Sequence, residues 1–285
     1  MGKRDKQDPA VVNLVVVSDI HAGCRLALLP PEGIELDDGG HYSPSDLQLK
    51  TWAMWREFWH EWVPLVTRGE PFAVCVNGDS MDGNHHNATT QISHNPVDQK
   101  RIAKAILEPI VQMCEGRFYM VRGTEAHVGQ SAHAEEDLAE DLGAIPDEHG
   151  NHARYCLWAR LGKGLVHIAH HIGTTGSMAY ETTALTKELA DLCADAGRWG
   201  KEAPDVVVRS HRHRFAQSTL PSRNGNCTCV TTPGWQLKTP FAHKIPGGRT
   251  TEPQMGGILV RAGDEDVIYT RHMVWELDRP REVAI

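Results

Sequence analysis

The chain has 285 residues, 40% of them hydrophobic, and a formal net charge of −8. That apolar share supports a sizeable core, and the acidic balance argues against a dedicated binder of the nucleic-acid backbone, which is ordinarily basic, while leaving room for a nucleic-acid enzyme that works through bound metal. Seven scattered cysteines with no second pair at zinc spacing beside Cys227-x-Cys229, and a start (MGKRDKQDPA) without an apolar run, point to a reduced cytoplasmic chain with neither signal peptide nor membrane span.

In chain order, residues 1–9 are charged and expected to fray. Val11–Val17 is a β-branched run without helical period and predicts a strand buried on both faces, ending in Ser18-Asp19-Ile20-His21. Residues i and i+2 of extended chain project to one side, so Asp19 and His21 can reach a common point. Residues 22–44 are rich in Pro, Gly and Asp and predict a long surface loop that serves as a lid. Ser45 is a helix cap for 46–67, where Trp52, Trp55, Phe58, Trp59 and Trp62 form one apolar stripe. A stripe packed on the sheet is the simplest reading; a base-stacking platform or a dimer face are the others. Phe72–Asn77 is the second strand, followed by Gly78-Asp79-Ser80-Met81-Asp82-Gly83 and the pair His85-His86. Asn95 and Pro96 open a helix running to Glu115, and Arg117–Arg122 is a third strand ending in Gly123-Thr124-Glu125-Ala126-His127. Strand–helix alternation of this kind predicts an α/β architecture with a largely parallel first sheet.

Residues 131–142 read as a short helix whose acidic side chains form a solvated face. Tyr155–Leu161 and Leu165–Ala169 form a strand pair leading into His170-His171, and a helix follows at 177–196. Asp205–Arg209 is another buried strand, ending in Ser210-His211-Arg212-His213. The remainder predicts strands at 226–232, 256–261 and 266–275, with a Gly/Pro-rich loop at 240–255. No repeat, linker or low-complexity block divides the chain, so one domain is expected over 1–285, with 22–67 as an insertion of lid loop and Trp-rich helix.

Five strand ends thus carry metal-type side chains: Asp19 and His21, Asp79, the 124–127 turn, His170 or His171, and His211 with His213. Oxygen and nitrogen donors without a thiolate suit Mn²⁺, Fe or Zn²⁺ in a catalytic rather than a structural site. The order Asp-x-His, Gly-Asp-x-x-Asp, a Gly-turn after the third strand, an isolated His and then His-x-His, with Thr232-Pro233-Gly234 behind it, resembles the calcineurin-like metallophosphoesterase superfamily over residues 11–235. The resemblance implies a sandwich of two mixed β-sheets flanked by helices, with a site for two divalent metal ions, manganese first and iron or zinc next, at the strand ends. Carried over, Asp19, His21, Asp79 and His213 would hold the first ion. Asp79, His170 and His211 would hold the second, and Asp82 would orient a ligand. His171 is the competitor of His170, and His85 and Thr124 stand where they can touch a ligand or substrate.

The third turn departs from the family pattern of Gly-Asn-His. Glu125, or Thr124, is expected to replace the asparagine on the second ion, and His127 to take the place of the acid that protonates the leaving group. Arg122, Arg212 and Arg214 lie beside the motifs and are candidates for phosphate contacts or for ordinary salt bridges. The activity this implies is hydrolysis of a phosphomonoester or phosphodiester, with a nucleotide or DNA among the possible substrates. The competing readings are a DNA-processing nuclease and a non-catalytic scaffold with a degraded site. No membrane partner is expected.

Overall fold

Strand β1 (Asn13–Val17) is buried along its whole length. Its odd and even residues serve different layers: Val15 and Val17 pack with the helices, whereas Leu14 and Val16 face a second sheet. The structure is a computed structural model that describes residues 11–85, 87–173, 178–222, 225–245, 248–263, 267–278 and 282–284; the 1–9 segment and His86 lie outside these.

The segment 22–44 differs from the expected surface loop. Ala22, Cys24, Ala27, Leu28 and Leu29 are fully buried, and its outer part pairs as a short hairpin, β2 (Ile34–Glu35) and β3 (His41–Tyr42). Ser45 caps α1 (Asp46–Glu57) through a full capping box with Gln48. The helical path then widens into a π-turn at Phe58–Trp62 before α2 (Val63–Thr67). The π-turn inserts an extra residue per turn, and Phe58 and Trp59 are both buried there. Trp55, Phe58 and Trp59 pack edge-on against one another or against Trp235, so the stripe belongs to the core. Trp59→Ala is expected to destabilise the chain by about 3–5 kcal/mol, the range for truncating a buried aromatic, read as a shift in urea-unfolding midpoint.

Next come β4 (Phe72–Asn77), α3 (Pro96–Met113) capped by Asn95, and β5 (Phe118–Val121). A single turn α4 (Glu125–Val128) and α5 (His133–Asp141) lead to β6 (Ala153–Arg154). Strands β7 (Leu157–Leu161) and β8 (Gly164–Ile168), helix α6 (Glu181–Arg198), and strands β9 (Val206–Arg209), β10 (Ala216–Ser222), β11 (Gly225–Thr231), β12 (Gln254–Ala262) and β13 (Ile268–Glu276) complete the set.

These build two mixed sheets flanked by helices. The first has the order β13-β12-β1-β4-β5-β6, parallel from β1 to β6 and antiparallel at β12 and β13. The second has the order β10-β11-β9-β8-β7, with β8, β9 and β11 parallel. Leu14, Val16, Ala73 and Val121 of the first sheet meet Leu157, Val166, Ile168, Val206 and Val208 of the second. Helices α1 and α3 cover the outer face of the first sheet, and α6 covers the second through Leu185 and Leu189. Both sets of parallel strands end on one side of the sandwich, where ligands of open α/β sheets collect.

On the second sheet His167 is 8% exposed, stacks on Trp158 with ring centroids 4.3 Å apart and accepts from Arg209 at 3.2 Å. Burial, and then the Arg209 charge, hold its imidazole down to about 4. Between the ordinary 6.5 and that value only the unfolded chain takes up the proton, so acidification through this window favours unfolding. The stability lost on going from pH 7.5 to 4 is therefore expected to be about 2 kcal/mol smaller in His167→Gln than in the parent chain, measured by urea unfolding at each pH.

Candidate metal centre

Asp19 and His21, Asp79, His170, and His211 with His213 stand just beyond the ends of β1, β4, β8 and β9. Gly78 turns the chain sharply after β4 with φ +81°, and a Cβ at this position would run into the His170 ring and Gly123. Only glycine permits that approach of two strand ends. The ligand-type residues themselves are bent into the left-handed region: Asp19 (φ 52°), His21 (47°), Asp79 (51°), His211 (71°) and His213 (51°). They are five of the ten non-glycine residues with positive φ among the described residues. Left-handed backbone at non-glycine positions costs about 1 kcal/mol each and gathers at functional sites.

Two groups of side chains have ligand atoms all within 4.8 Å of one another: Asp19, Asp79, His170 and His211, and Asp19, His21 and His213. Asp19 belongs to both. His21 and Asp79 also group with His127, and Asp82 and His85 group with His127. The orientation of the imidazoles is fixed from behind. His170 Nδ1–H donates to the Asn77 carbonyl at 2.6 Å, so its Nε2 faces Asp79 Oδ2 at 3.1 Å. His21 places Nδ1 at 3.2 Å from the Asp82 carboxylate, leaving Nε2 3.1 Å from His213 Nε2. Carbonyl or carboxylate behind one nitrogen and a free lone pair on the other is the usual support of a metal-ligating histidine.

The donor set fits divalent cations on two further counts. Asp19 Oδ2 accepts from Ser18 Oγ at 2.6 Å and from the His211 amide at 3.2 Å, but Oδ1 is buried without a hydrogen bond, 3.3 Å from His213 Nε2 and 4.0 Å from His170 Nε2. A buried carboxylate oxygen facing two imidazole nitrogens is an acceptor without a donor. Charge balance points the same way. Burial alone would push His170 down, but the Asp79 and Asp19 carboxylates lift it to about 10. Burial would likewise raise Asp79, and the His170 charge instead holds it far below the ordinary carboxylate range. Without metal, the cluster takes up protons where cations would sit.

Of the two candidates at the end of β8, His170 is buried in the cluster, whereas His171 is exposed and belongs to neither group. The third turn is corrected. Glu125 is exposed at the first position of α4 and lies outside every Asp/His group. Thr124 takes its place: its hydroxyl is 3.1 Å from Asp79 Oδ2, 3.2 Å from His211 Nδ1 and 3.5 Å from His170 Nε2, and its amide donates to Asp79 Oδ1 at 2.6 Å. The backbone turns into α4 at residue 125, which carries that side chain outward. Two residues further on, about half a turn, His127 faces the cavity. Its Nδ1–H donates to the Asp82 carbonyl at 2.7 Å, and its ring meets His21 and His85 edge-on. Burial, and then the neighbouring His21 ring, hold His127 down to about 4.

Asp82 touches His21, His85 and the amides of Gln91 (2.9 Å) and Gln236 (3.1 Å), so it orients ligands as expected. Sequence reasoning missed the two glutamines and, above all, Glu135. This residue sits in the acidic helix α5 that was expected to be solvated, yet it is fully buried. One carboxylate oxygen accepts from the Ser80 amide (2.9 Å) and hydroxyl (2.8 Å), the other from the Gly123 amide (2.6 Å). It thereby ties the turn after β4 to the turn after β5. Burial, and then the Asp79 charge, raise it to about 7. Periodicity offered no cue, because Glu135 opens the acidic run Glu135-Glu136-Asp137 and reads as part of it.

The cluster forms the floor of a cavity of about 790 Å³. Asp82, His85, Thr124 and His127 line it; residues 22–44 do not. Of the three arginines, Arg122 does not line it either, being bound to the Ala153 carbonyl and lying over the Tyr155 ring. No helix among the described residues is long and apolar enough to cross a membrane, and the seven cysteines form no disulfide.

No protein-family model and no curated protein matches the chain. Among solved structures it is similar to Chaetomium thermophilum Vps29 at 11% identity and a TM-score of 0.40, covering 94% of this chain and 97% of that one. It is similar to protein TM1076 of Thermotoga maritima at 11% identity and a TM-score of 0.35, covering 94% and 100%. The sulfate thiohydrolase SoxB of Thermus thermophilus matches at 12% identity and a TM-score of 0.41, covering 95% of this chain and 57% of that one. Likeness at this level carries no argument about activity, which rests on the residues themselves.

Proposed function

We propose that the chain is a phosphoesterase dependent on two divalent metal ions. The observation that carries this reading is the pair of Asp/His groups sharing Asp19, built from the ends of the four strands β1, β4, β8 and β9. His21, His213 and Asp19 would hold one ion, and Asp19, Asp79, His170 and His211 the other, with the Thr124 hydroxyl beside them. The shared carboxylate in these groups is Asp19, where Asp79 was expected, and Asp79 groups with His21 only together with His127. Manganese is the first ion to try, with iron and zinc next, because the donors are carboxylate and imidazole only. When bound, such a pair lowers the pKa of a water and offsets charge on the phosphoryl oxygens.

The chain's own residues do the rest. Asp82 and the Asn77 carbonyl fix the tautomers of His21 and His170. Glu135 holds the two turns in register. His127 keeps Nδ1–H on Asp82 and presents Nε2 to the cavity, where it serves the leaving oxygen. Its lowered pKa leaves that nitrogen unprotonated at neutral pH, and a phosphate anion bound beside the ring raises it again, so proton donation follows substrate binding.

The test is metal-stripped protein resupplied with Mn²⁺ and assayed on p-nitrophenyl phosphate, bis-p-nitrophenyl phosphate and linear DNA. Manganese-dependent turnover on any of these supports the reading. A protein that takes up no metal and turns over none of them is a scaffold, and the reading falls.

A further inference from the structure

The cavity is much larger than a phosphate group needs, and its character changes away from the metal centre. Leu237, Pro240, Phe241, Ile245 and Pro253 form one wall, with Ile172 also facing it. Phe241 is 40% and Ile245 36% exposed. Partly exposed apolar side chains in a concavity beside a polar cluster are the ordinary make-up of a surface for the organic part of a ligand.

The basic residues on this cavity are mostly committed elsewhere. Arg212 donates to the carbonyls of Gly173 and Glu181. Arg214 pairs with the Glu181 carboxylate at 3.1 Å, and Lys238 with Glu252 at 2.9 Å. Of the lysines and arginines on it, Arg212 and Lys244 have no ion pair among the described residues, and only Lys244 lacks a side-chain hydrogen bond as well. A nucleic-acid strand asks for several uncommitted cations along its track, and a monoester brings a second negative charge. A diester carries one charge, at the phosphorus, which the metal centre meets, and its organic groups need no counter-charge.

Resting on the phosphoesterase reading above, we infer that the substrate is a small monoanionic phosphodiester, one of whose organic groups is an apolar ring seated against Phe241 and Ile245. The reaction consumes only water: its oxygen bonds to phosphorus, the bond to one ester oxygen breaks, and that oxygen leaves as an alcohol after taking up a proton. The ring-bearing monoester is the other product.

The experiment compares phenyl p-nitrophenyl phosphate, methyl p-nitrophenyl phosphate and p-nitrophenyl phosphate on the manganese-loaded chain, so that the leaving group is constant. The phenyl diester is expected to have a KM at least about tenfold below the methyl diester, the scale set by burying a ring's extra apolar area. Phe241→Ala with Ile245→Ala is expected to narrow that ratio to about twofold; both side chains are partly exposed, so the core is untouched. A second arm measures calorimetric binding of methyl phenylphosphonate against methyl methylphosphonate, both monoanions, with the same variant. Equal KM values for the two diesters, or a preference for the monoester or for DNA, overturn the inference while the phosphoesterase reading stands. Absence of turnover on every ester overturns the phosphoesterase reading instead. The binding arm then decides the ring pocket alone: tighter binding of the phenyl compound, lost in the variant, supports it, and equal binding overturns it.

Discussion

Replacing Asp79 by asparagine is expected to empty the metal centre and to lower kcat/KM by a factor on the order of 10³, the scale of removing one partner from a buried charge cluster. The carboxylate is the hub of the site. Oδ2 faces His170 at 3.1 Å, Thr124 Oγ1 at 3.1 Å and His211 at 3.8 Å, while Oδ1 holds the Thr124 amide at 2.6 Å. An asparagine of the same shape keeps one acceptor and turns an NH₂ toward groups arranged to meet negative charge. The check is metal content of the dialysed variant alongside its kinetics. A third readout comes from NMR of the metal-free protein: with Asp79 neutral, His170 should titrate well below the value of about 10 that the two carboxylates give it. Full metal occupancy with parental turnover would remove Asp79 from the centre.

Glu135→Ala is expected to act from a distance with nearly equal force. It leaves three buried donors, the Ser80 amide and hydroxyl and the Gly123 amide, without an acceptor. At about 1–3 kcal/mol per orphaned group, and allowing for non-additivity, the loss is about 3 kcal/mol or more. That corresponds to a Tm lower by roughly 6–12 °C for a chain of this size. Because the two turns it joins carry Asp79 and Thr124, manganese affinity should also fall about 10–100-fold, the range for residues that support metal ligands. Glu135→Gln should fare little better, since its amide hydrogens would oppose one of the same donors. Thermal unfolding with and without Mn²⁺ separates the two effects. A variant with an unchanged Tm would show that the turns hold their geometry without the carboxylate.

Legibility followed physical scale. Strands β1, β4 and β9 were readable because each is a continuous apolar run bounded by a polar turn, a pattern that burial on both faces imposes. Strand β10 was not, because Ala216–Ser222 is an edge strand that alternates partly buried with exposed positions and carries Pro221. The buried start of the 22–44 segment was hidden by the Pro and Gly around it; Ala27, Leu28 and Leu29 show their role only once packed. At the site, the ligand-type residues were visible as a motif just past the strand ends, but the extended period-two geometry expected for Asp19 and His21 does not hold. Both pairs lie beyond β1 and β9 in left-handed backbone, and the turns bring them together. Glu125 misled because spacing along the chain does not reveal where a helix begins; in α4 Glu125 and His127 stand about half a turn apart, so one faces away from the cluster and the other toward it. The assignment of Glu135 to a solvated face failed for the opposite reason. In α5 the helix presents Glu135 inward with Leu138 and Ala139, and only the orphan amides across the interface explain a carboxylate there.

The left-handed backbone at Asp19, His21, Asp79, His211 and His213 sets two demands on the same five codons. Chain conformation alone would select glycine or asparagine at each; ligand chemistry selects a carboxylate or an imidazole. As long as turnover matters to the organism, the second demand prevails and the folded state carries the strain. Once selection on catalysis is relaxed, drift toward glycine at these positions becomes favourable to the fold. A lineage that kept the shape and abandoned the chemistry is therefore expected to lose its histidines here first.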